Sequence, residues 1–479
     1  MDSKSRQHQL REFYDRIAYL RERWILKNQT FYDDDRSYMR FLIPEGRRVL
    51  ELGCGTGSLL NSLEPEYGVG IDLSSRMIEQ AQKSFPNYKF VQGDIEQANT
   101  YSKIKGPFDA IILSDLLGNL SDVQSTLEQL KKICSPDTRI IISYYSPLWE
   151  PILRLAQVFG MRMPQPELTW LSSKDISSFL ELAGLQVIKC EWRQLLPKRM
   201  LGIGPLINKY LSTLPGFRVF CLRHYVVARV EPNKKLKSLS SSIVIPCRNE
   251  KGNIEEAVKR LPAFCNDIEI IYVEGGSSDG TYEECQRVRD KYTKLDIKIF
   301  EQPGTGKGDA VRKGFDEARG DVLIILDADL TVKPEEIPKF YNAILTGKGE
   351  FINGTRFIYP METGAMRFLN YWANRMFSVV FSWLLNQRFT DTLCGTKVLR
   401  KKHYRQVSEN RSYFGEFDPF GDFDLIFGAA KQNLKIAEIP IRYAERSYGE
   451  TQISRFRHGL LLLKMVAFAF YKFKALRIF

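Results

Sequence analysis

A chain of 479 residues is too long for one ordinary core and predicts two or three domains. Its 44% hydrophobic and 26% charged content excludes disordered, collagen-like and small disulfide-bonded classes. The net charge of +12 is uneven: −2 over 1–150, +6 over 151–232, +3 over 233–240, zero over 241–449 and +5 over 450–479. The basic excess thus lies outside two nearly neutral blocks, which disfavours nucleic acid as a partner. Eight scattered cysteines with no C-x-x-C spacing predict reduced thiols and argue against a zinc ribbon. No apolar signal segment opens the chain, and no run of 18 apolar residues predicts a spanning helix. A cytoplasmic location is expected, peripheral on the inner face of a membrane if the basic segments bind one.

In chain order, RRVLELG, YGVGIDL, YKFVQGD, FDAIILSD and TRIIISYY predict short buried strands, with helices at SRMIEQAQKSF and VQSTLEQLKKIC. The first strand runs into Gly53, Gly55 and Gly57, a loop that lets backbone approach a ligand closely. Asp72 ends the next apolar run, where a carboxylate can accept from ribose hydroxyls, and Asp94 ends the third in the same manner. Residues 151–232 mix basic and apolar positions and predict the last strands of this sheet with an insertion, or a lid facing acceptor or membrane.

EPNKKLKSLSSS breaks the pattern and predicts a linker at 233–240. Strands resume at SIVIPCRNE, IEIIYVEGG, IKIFEQPG and DVLIILDAD, with helices at EEAVKRL, TYEECQRVRDKY and GDAVRKGFDEA between them. Strand–helix alternation in both halves predicts two α/β domains. VLIIL runs directly into Asp327-Ala-Asp329, which places hard oxygen ligands where a divalent cation can be held. Lys307 sits among Gly304, Gly306 and Gly308, in a loop suited to close approach of phosphate.

ELGCGTG, GIDLS, GDIE and FDAIILSDLLGNLSD together resemble class I S-adenosylmethionine-dependent methyltransferases over about residues 30–230. The resemblance implies a Rossmann-like fold and contacts from Glu51, Gly53, Gly55, Gly57, Asp72 and Asp94 to S-adenosyl-L-methionine. Many relatives carry a Glu-His pair after the fourth strand, where this chain has Gly118–Asn119, so no catalytic base is assigned.

From about 241 to 458 the ordered motifs resemble family 2 glycosyltransferases of GT-A fold, in particular the dolichyl-phosphate mannose synthase and glucosyltransferase type. The resemblance places Pro246, Asn249, Glu250, Glu274, Asp279, Lys307, Asp327 and Arg356 at the sugar nucleotide, and Asp327 and Asp329 at Mg²⁺ or Mn²⁺. Gly275 stands where those enzymes usually have a second acid. FTDTLCGTKVLRK aligns Asp391, Cys394, Gly395 and Lys397 with their acceptor segment, and Asp422 and Asp424 become candidate bases beside Asp391. For an anionic lipid-phosphate acceptor, Lys397, Arg442 and Arg446 would matter more. GLLLLKMVAFAFYKFKALRIF (459–479) predicts either an interfacial helix with cations outward or a packed core helix.

The expected protein is thus a bifunctional enzyme. One domain, 1–232, would transfer methyl groups; the other, 241–458, would move sugar from a UDP- or GDP-linked donor to a lipid-phosphate or membrane-proximal glycan. Open alternatives are a soluble acceptor, or a first domain that binds without catalysing.

Overall fold

Buried apolar runs that end in glycine or aspartate become the strands of two separate sheets. The computed structural model describes residues 3–232, 238–359, 368–413, 423–444, 448 and 455–476, with backbone only at 3–5, 368–371 and 455–458. The chain divides into two units, Met1–Glu231 with Lys474–Phe479, and Pro232–Phe473. Most of the segment expected as a linker, residues 233–237, lies outside the described residues.

In the first unit the strands are β1 (Arg48–Leu52), β2 (Tyr67–Asp72), β3 (Lys89–Gln92), β4 (Ala110–Ser114), β5 (Arg139–Tyr145), β6 (Leu185–Arg193) and β7 (Arg223–Val230). They form one sheet in the order β3-β2-β1-β4-β5-β7-β6. β1 to β5 are parallel, and β7 runs antiparallel to both β5 and β6. Parallel strands are covered on both faces, which is why they read as unbroken Val/Ile/Leu runs. Leu50, Leu52, Ile71, Leu113 and Ile142 are wholly buried in the core on one side. Each such side chain stabilises the fold by about 1.5–3 kcal/mol relative to exposure. The chain steps outward from β1 to β3 and then crosses to the other side at β4. The reversal opens a crevice beyond the carboxyl ends of β1 and β4.

Local signals set the helix starts. Ser74 Oγ accepts from Met77 N–H at 3.1 Å, and Asp122 Oδ1 from Ser125 N–H at 2.9 Å. Ser172 and Asp175 complete a reciprocal capping box before Ser173–Leu182. Three helices, Ser3–Ile17, Arg21–Lys27 and Gln29–Leu42, precede β1. The 151–232 stretch supplies β6 and β7 together with Ile203–Tyr210 and short single turns of helix.

The second unit contributes β8 (Ser241–Cys247), β9 (Ile268–Glu274), β10 (Asp296–Glu301), β11 (Val322–Ile325), β12 (Phe351–Thr355), β13 (Lys397–Arg400) and β14 (Ile436–Pro440). Their order is β10-β9-β8-β11-β13-β12-β14. β8 to β11 are parallel, β13 is antiparallel to β11 and β12, and β14 is parallel to β12. The same reversal recurs here, with β9 and β10 on one side of β8 and β11 on the other, so the loops after β8 and β11 face one crevice.

The C-terminal segment forms the helix Arg455–Ala469 and a π-helical turn, Phe470–Lys474. It follows the packed-core expectation in part: Leu462, Met465, Ala469 and Phe473 are buried, while Leu460, Leu463 and Tyr471 are exposed. Its cations are not all outward. Lys472 Nζ donates to Tyr413 O and stands 4.5 Å from that ring, and Lys474, in the first unit, is buried against Glu191 at 2.9 Å. Among the described residues, no helix is long and apolar enough to cross a membrane.

Candidate active sites

Beyond the ends of β1 and β4 the first unit holds a cavity of about 210 Å³ whose walls include Glu51, Gly53, Gly55, Asp72 and Asp94. The glycine loop follows β1 with Gly53, Gly55 and Gly57 at φ +69°, +52° and +76°, a region that side-chain-bearing residues avoid. Gly55 N–H donates to Asp72 Oδ2 at 2.8 Å and Ser74 N–H to Asp72 Oδ1 at 2.9 Å. The acid at the end of β2 is therefore locked to the loop at the end of β1. Burial raises the Asp72 pKa, and the two backbone donors oppose that rise. Glu51 is 3% exposed, and its Oε2 accepts from Leu60 N–H at 3.0 Å. Burial pushes its pKa up to about 8. Asp94 is half-buried, with oxygens accepting from Glu96 N–H and the Gln97 amide.

Sequence reasoning missed the helices before β1 as part of this site. A Cβ on Gly55 would come within 3.0 Å of Arg21 Nε, so the Arg21 side chain lies across the glycine loop. Tyr14, Arg21, Tyr32 and Asp35 all line the cavity. It also missed an acid just beyond β4. Asp115 adopts φ +53° and is paired with Arg223, which is 1% exposed. Arg223 Nε also donates to Asp35 Oδ1 at 2.8 Å, and its Nη2 to Ser114 and Ser143 Oγ at 2.9 and 3.0 Å. Tyr225 OH donates to the same Asp35 oxygen at 2.6 Å. Burial raises the Asp115 pKa, and Arg223 counters it. A positive charge opening a buried strand was the one signal that could have flagged this cluster.

In the second unit, Lys307 Nζ lies 2.6 Å from Asp327 Oδ1. Burial works against the charge on Asp327, but Lys307, with Lys397 and Arg356 beyond it, lowers its pKa overall. The Gly395 backbone closes on this pair: a Cβ there would fall 1.8 Å from Asp327 Oδ2 and 2.5 Å from Lys307 Nζ. Asp329 Oδ1 accepts from Thr331 N–H and hydroxyl at 3.1 and 2.8 Å. The oxygen-only donor set of Asp327 and Asp329 fits a hard divalent cation.

Arg356, just past β12, donates from Nε and Nη2 to the two Asp391 oxygens at 2.6 and 2.8 Å. Asp391 is wholly buried and also accepts from Asn374 Nδ2 and from the N–H groups of Arg356 and Leu393. With both oxygens engaged, Asp391 is placed to hold the guanidinium rather than to take a proton. Glu438 on β14 fixes the loop that carries it, accepting from Thr390 N–H at 2.9 Å and Asp391 N–H at 3.2 Å.

The loops after β8 and β9 lock each other. Asn249, at φ +55°, accepts from Ser278 N–H at 2.9 Å, while its own N–H donates to Ser277 Oγ at 2.9 Å. Glu274 folds back on the N–H groups of Gly276 and Ser277 at 3.1 and 2.6 Å. Asp279 accepts from Thr281 N–H and Lys251 N–H, and Glu250 from the Asn253 amide. Pro246 pairs in register with Val273. These acids therefore shape the loops, and their bonds are largely internal. Asp424, 8% exposed, lies 3.4 Å from Arg411 and 3.9 Å from Arg312. Lys397 is wholly buried and donates to Cys394 O. Asp422 and Arg446 lie outside the described residues.

These sheets and crevices define two α/β architectures, Rossmann-like in the first unit and GT-A-like in the second. Residues 24–189 match the family model described as methyltransferase domain, and residues 242–407 the one described as glycosyl transferase family 2. The chain carries a methyltransferase domain followed by a family 2 glycosyltransferase domain, both of them enzyme families. It is similar to the dolichol-phosphate mannosyltransferase of Pyrococcus furiosus, 30% identical over 217 residues, covering 44% of this chain and 58% of that protein. It is also similar to the undecaprenyl-phosphate 4-deoxy-4-formamido-L-arabinose transferase of Pseudomonas aeruginosa, 27% identical over 229 residues, covering 47% and 63%. The chain thus spans less than two thirds of the length of either relative. Among solved structures, a SAM-dependent methyltransferase from Thermotoga maritima aligns at 17% identity and TM-score 0.36, covering 46% of this chain and 99% of that one.

Proposed function

We propose that the chain is a bifunctional enzyme with two chemistries. Its second unit transfers a sugar from a nucleoside-diphosphate donor to a lipid-phosphate or membrane-proximal glycan acceptor. Its first unit transfers a methyl group from S-adenosyl-L-methionine. The observation that carries the sugar-transfer reading is the gathering of Lys307, Lys397 and Arg356 around Asp327, two residues before Asp329, at the crevice beyond β8 and β11. The names of the two relatives, which pair a sugar with dolichol or undecaprenyl phosphate, support a polyprenyl-phosphate acceptor.

Asp327 and Asp329 would hold Mg²⁺ or Mn²⁺, which when bound neutralises charge developing on the departing diphosphate. Lys307 and Arg356 add fixed positive charge to the same region, and Asp391 orients Arg356. Asp424 is the described candidate base for a hydroxyl acceptor; an acceptor phosphate is already anionic and needs none. In the first unit the Asp72-locked glycine loop would bear the cofactor, and the cavity's carboxylates suit its sulfonium charge.

A thermal-shift screen of UDP-, GDP- and dTDP-sugars with Mn²⁺ tests the donor, because a ligand that binds only the native state raises its melting temperature. The true donor is expected to stand out, and Asp329→Ala to abolish both its metal-dependent stabilisation and sugar transfer. Full activity in that variant would remove the metal assignment.

A further inference from the structure

Helix Glu150–Val158 and the segment 194–222 put much apolar surface into solvent. Leu155, Val158 and Phe159 are 59%, 79% and 72% exposed, and Leu201 is fully exposed at 103%. The helix is not turned the wrong way, since its Leu153 is buried while Ile152, Leu155 and Val158 point outward. Leu201 and Met200 occupy φ +57° and +43° at the tip of a turn. Bulky residues are rare in that backbone region, so the fold accepts local strain to present apolar side chains there.

The two segments are tied into one face. Trp149 Nε1 donates to Phe220 O at 2.8 Å at one end. Elsewhere Lys27 Nζ donates to Gly160 O at 2.6 Å, and the adjacent Asn28 Oδ1 accepts from Lys198 Nζ at 2.6 Å. The charge on this face has a single sign where it is most apolar: 194–222 contains Lys198, Arg199, Lys209 and Arg218 and no Asp or Glu. On the helix side, Glu150 is already paired with Arg154 at 2.5 Å, and Arg162 stacks 4.7 Å over Tyr145. Scattered exposed apolar residues need no explanation, but a contiguous patch rimmed by cations does. Long cationic stems can lie along apolar surface with their heads at phosphate depth, the chemistry of an anionic bilayer.

We propose that this face of the first unit docks on an anionic lipid bilayer. Leu155, Val158, Phe159, Leu201, Leu206 and Phe220 enter the acyl boundary, and the lysines and arginines meet headgroup phosphates. The proposal does not rest on the acceptor of the second unit. Under the face lies a cluster of Phe31, Leu153 and Leu222 with Tyr145, Trp149 and Trp170. Phe31, Tyr145 and Trp170 also line the cavity, so docking would bring the methyl-transfer site within a side-chain layer of the lipid.

Co-sedimentation of the full chain with phosphatidylcholine vesicles, with and without about one-third phosphatidylglycerol, tests this. Anionic vesicles should bind at least about tenfold more strongly than neutral ones, with the preference shrinking at high salt. The triple variant Leu155→Asp/Leu201→Asp/Phe220→Asp should lose at least about tenfold in vesicle affinity. All three positions are solvent-exposed, so its melting temperature and its stabilisation by S-adenosylhomocysteine should be unchanged. Wild-type binding by the variant would overturn the proposal, as would failure of the wild type to bind anionic vesicles. So would a wild-type dimer that the three substitutions dissolve, because the face would then be a contact between copies.

Discussion

Position 395 tolerates only glycine for a spatial reason rather than a conformational one. A methyl group there would occupy the place of an Asp327 oxygen and crowd the Lys307 ammonium. Gly395→Ala is expected to leave the melting temperature of the free protein within a few degrees and to lower sugar transfer at least about tenfold. Both are read from one preparation by thermal unfolding and a donor-dependent assay. In the other unit, Glu51 carries a pH dependence. Its pKa in the fold, about 8, is far above its ordinary 4.5, so the native state keeps a proton that the unfolded chain has released. That contribution to stability is full below the ordinary value and is lost as pH rises through about 8. The melting temperature of the first unit should therefore fall between about pH 4.5 and about pH 8 and level off above that, and Glu51→Gln should flatten the fall while still accepting from Leu60. The glycine loop and the Asp-x-Asp pair could be read from sequence because each is a short local pattern. Arg21 and Asp115 could not, because what matters about them is which loops they lie beside.

Among elements, β7 bears the unexpected weight. Arg223 at its start binds Asp35 from the Gln29–Leu42 helix, Ser114 of β4, Asp115 just past it and Ser143 of β5. Removing the guanidinium would leave the buried Asp35 carboxylate, and beside it the partly exposed Asp115, without their counter-charge, a loss of about 3–5 kcal/mol. Chemical denaturation of Arg223→Ala should show that loss in the first unit, and a loss under about 1 kcal/mol would mean that water or neighbouring donors replace it. The parallel strands were legible because burial on both faces leaves continuous apolar runs. The antiparallel pairing of β13 with β11 and β12 was not. Lys397–Arg400 is a four-residue stretch with a charge at each end, and only its neighbours make it a strand. The C-terminal helix was ambiguous for a related reason. Composition cannot say which lysines are outward, and Lys472 and Lys474 turn out to be bonded inside the protein.

At the scale of the whole molecule, the charge that began as +12 sorts by element. Neither crevice depends on it, and part of the +6 carried by 151–232 rims the apolar face of the first unit. The two crevices are also chemically separate, one built around a glycine loop and the other around an acid pair. Asp329→Ala should therefore keep its stabilisation by S-adenosylhomocysteine while losing that by nucleotide with Mn²⁺, and Asp72→Ala should do the reverse. Loss of both responses in either variant would show the units to be thermodynamically coupled. The division at Glu231/Pro232 has a further consequence for the cell. Two transferase domains translated as one polypeptide are always present in equal copy number. No change in this chain's expression can alter their ratio, so on the proposed reading the balance between the two transfers is left to turnover and substrate supply.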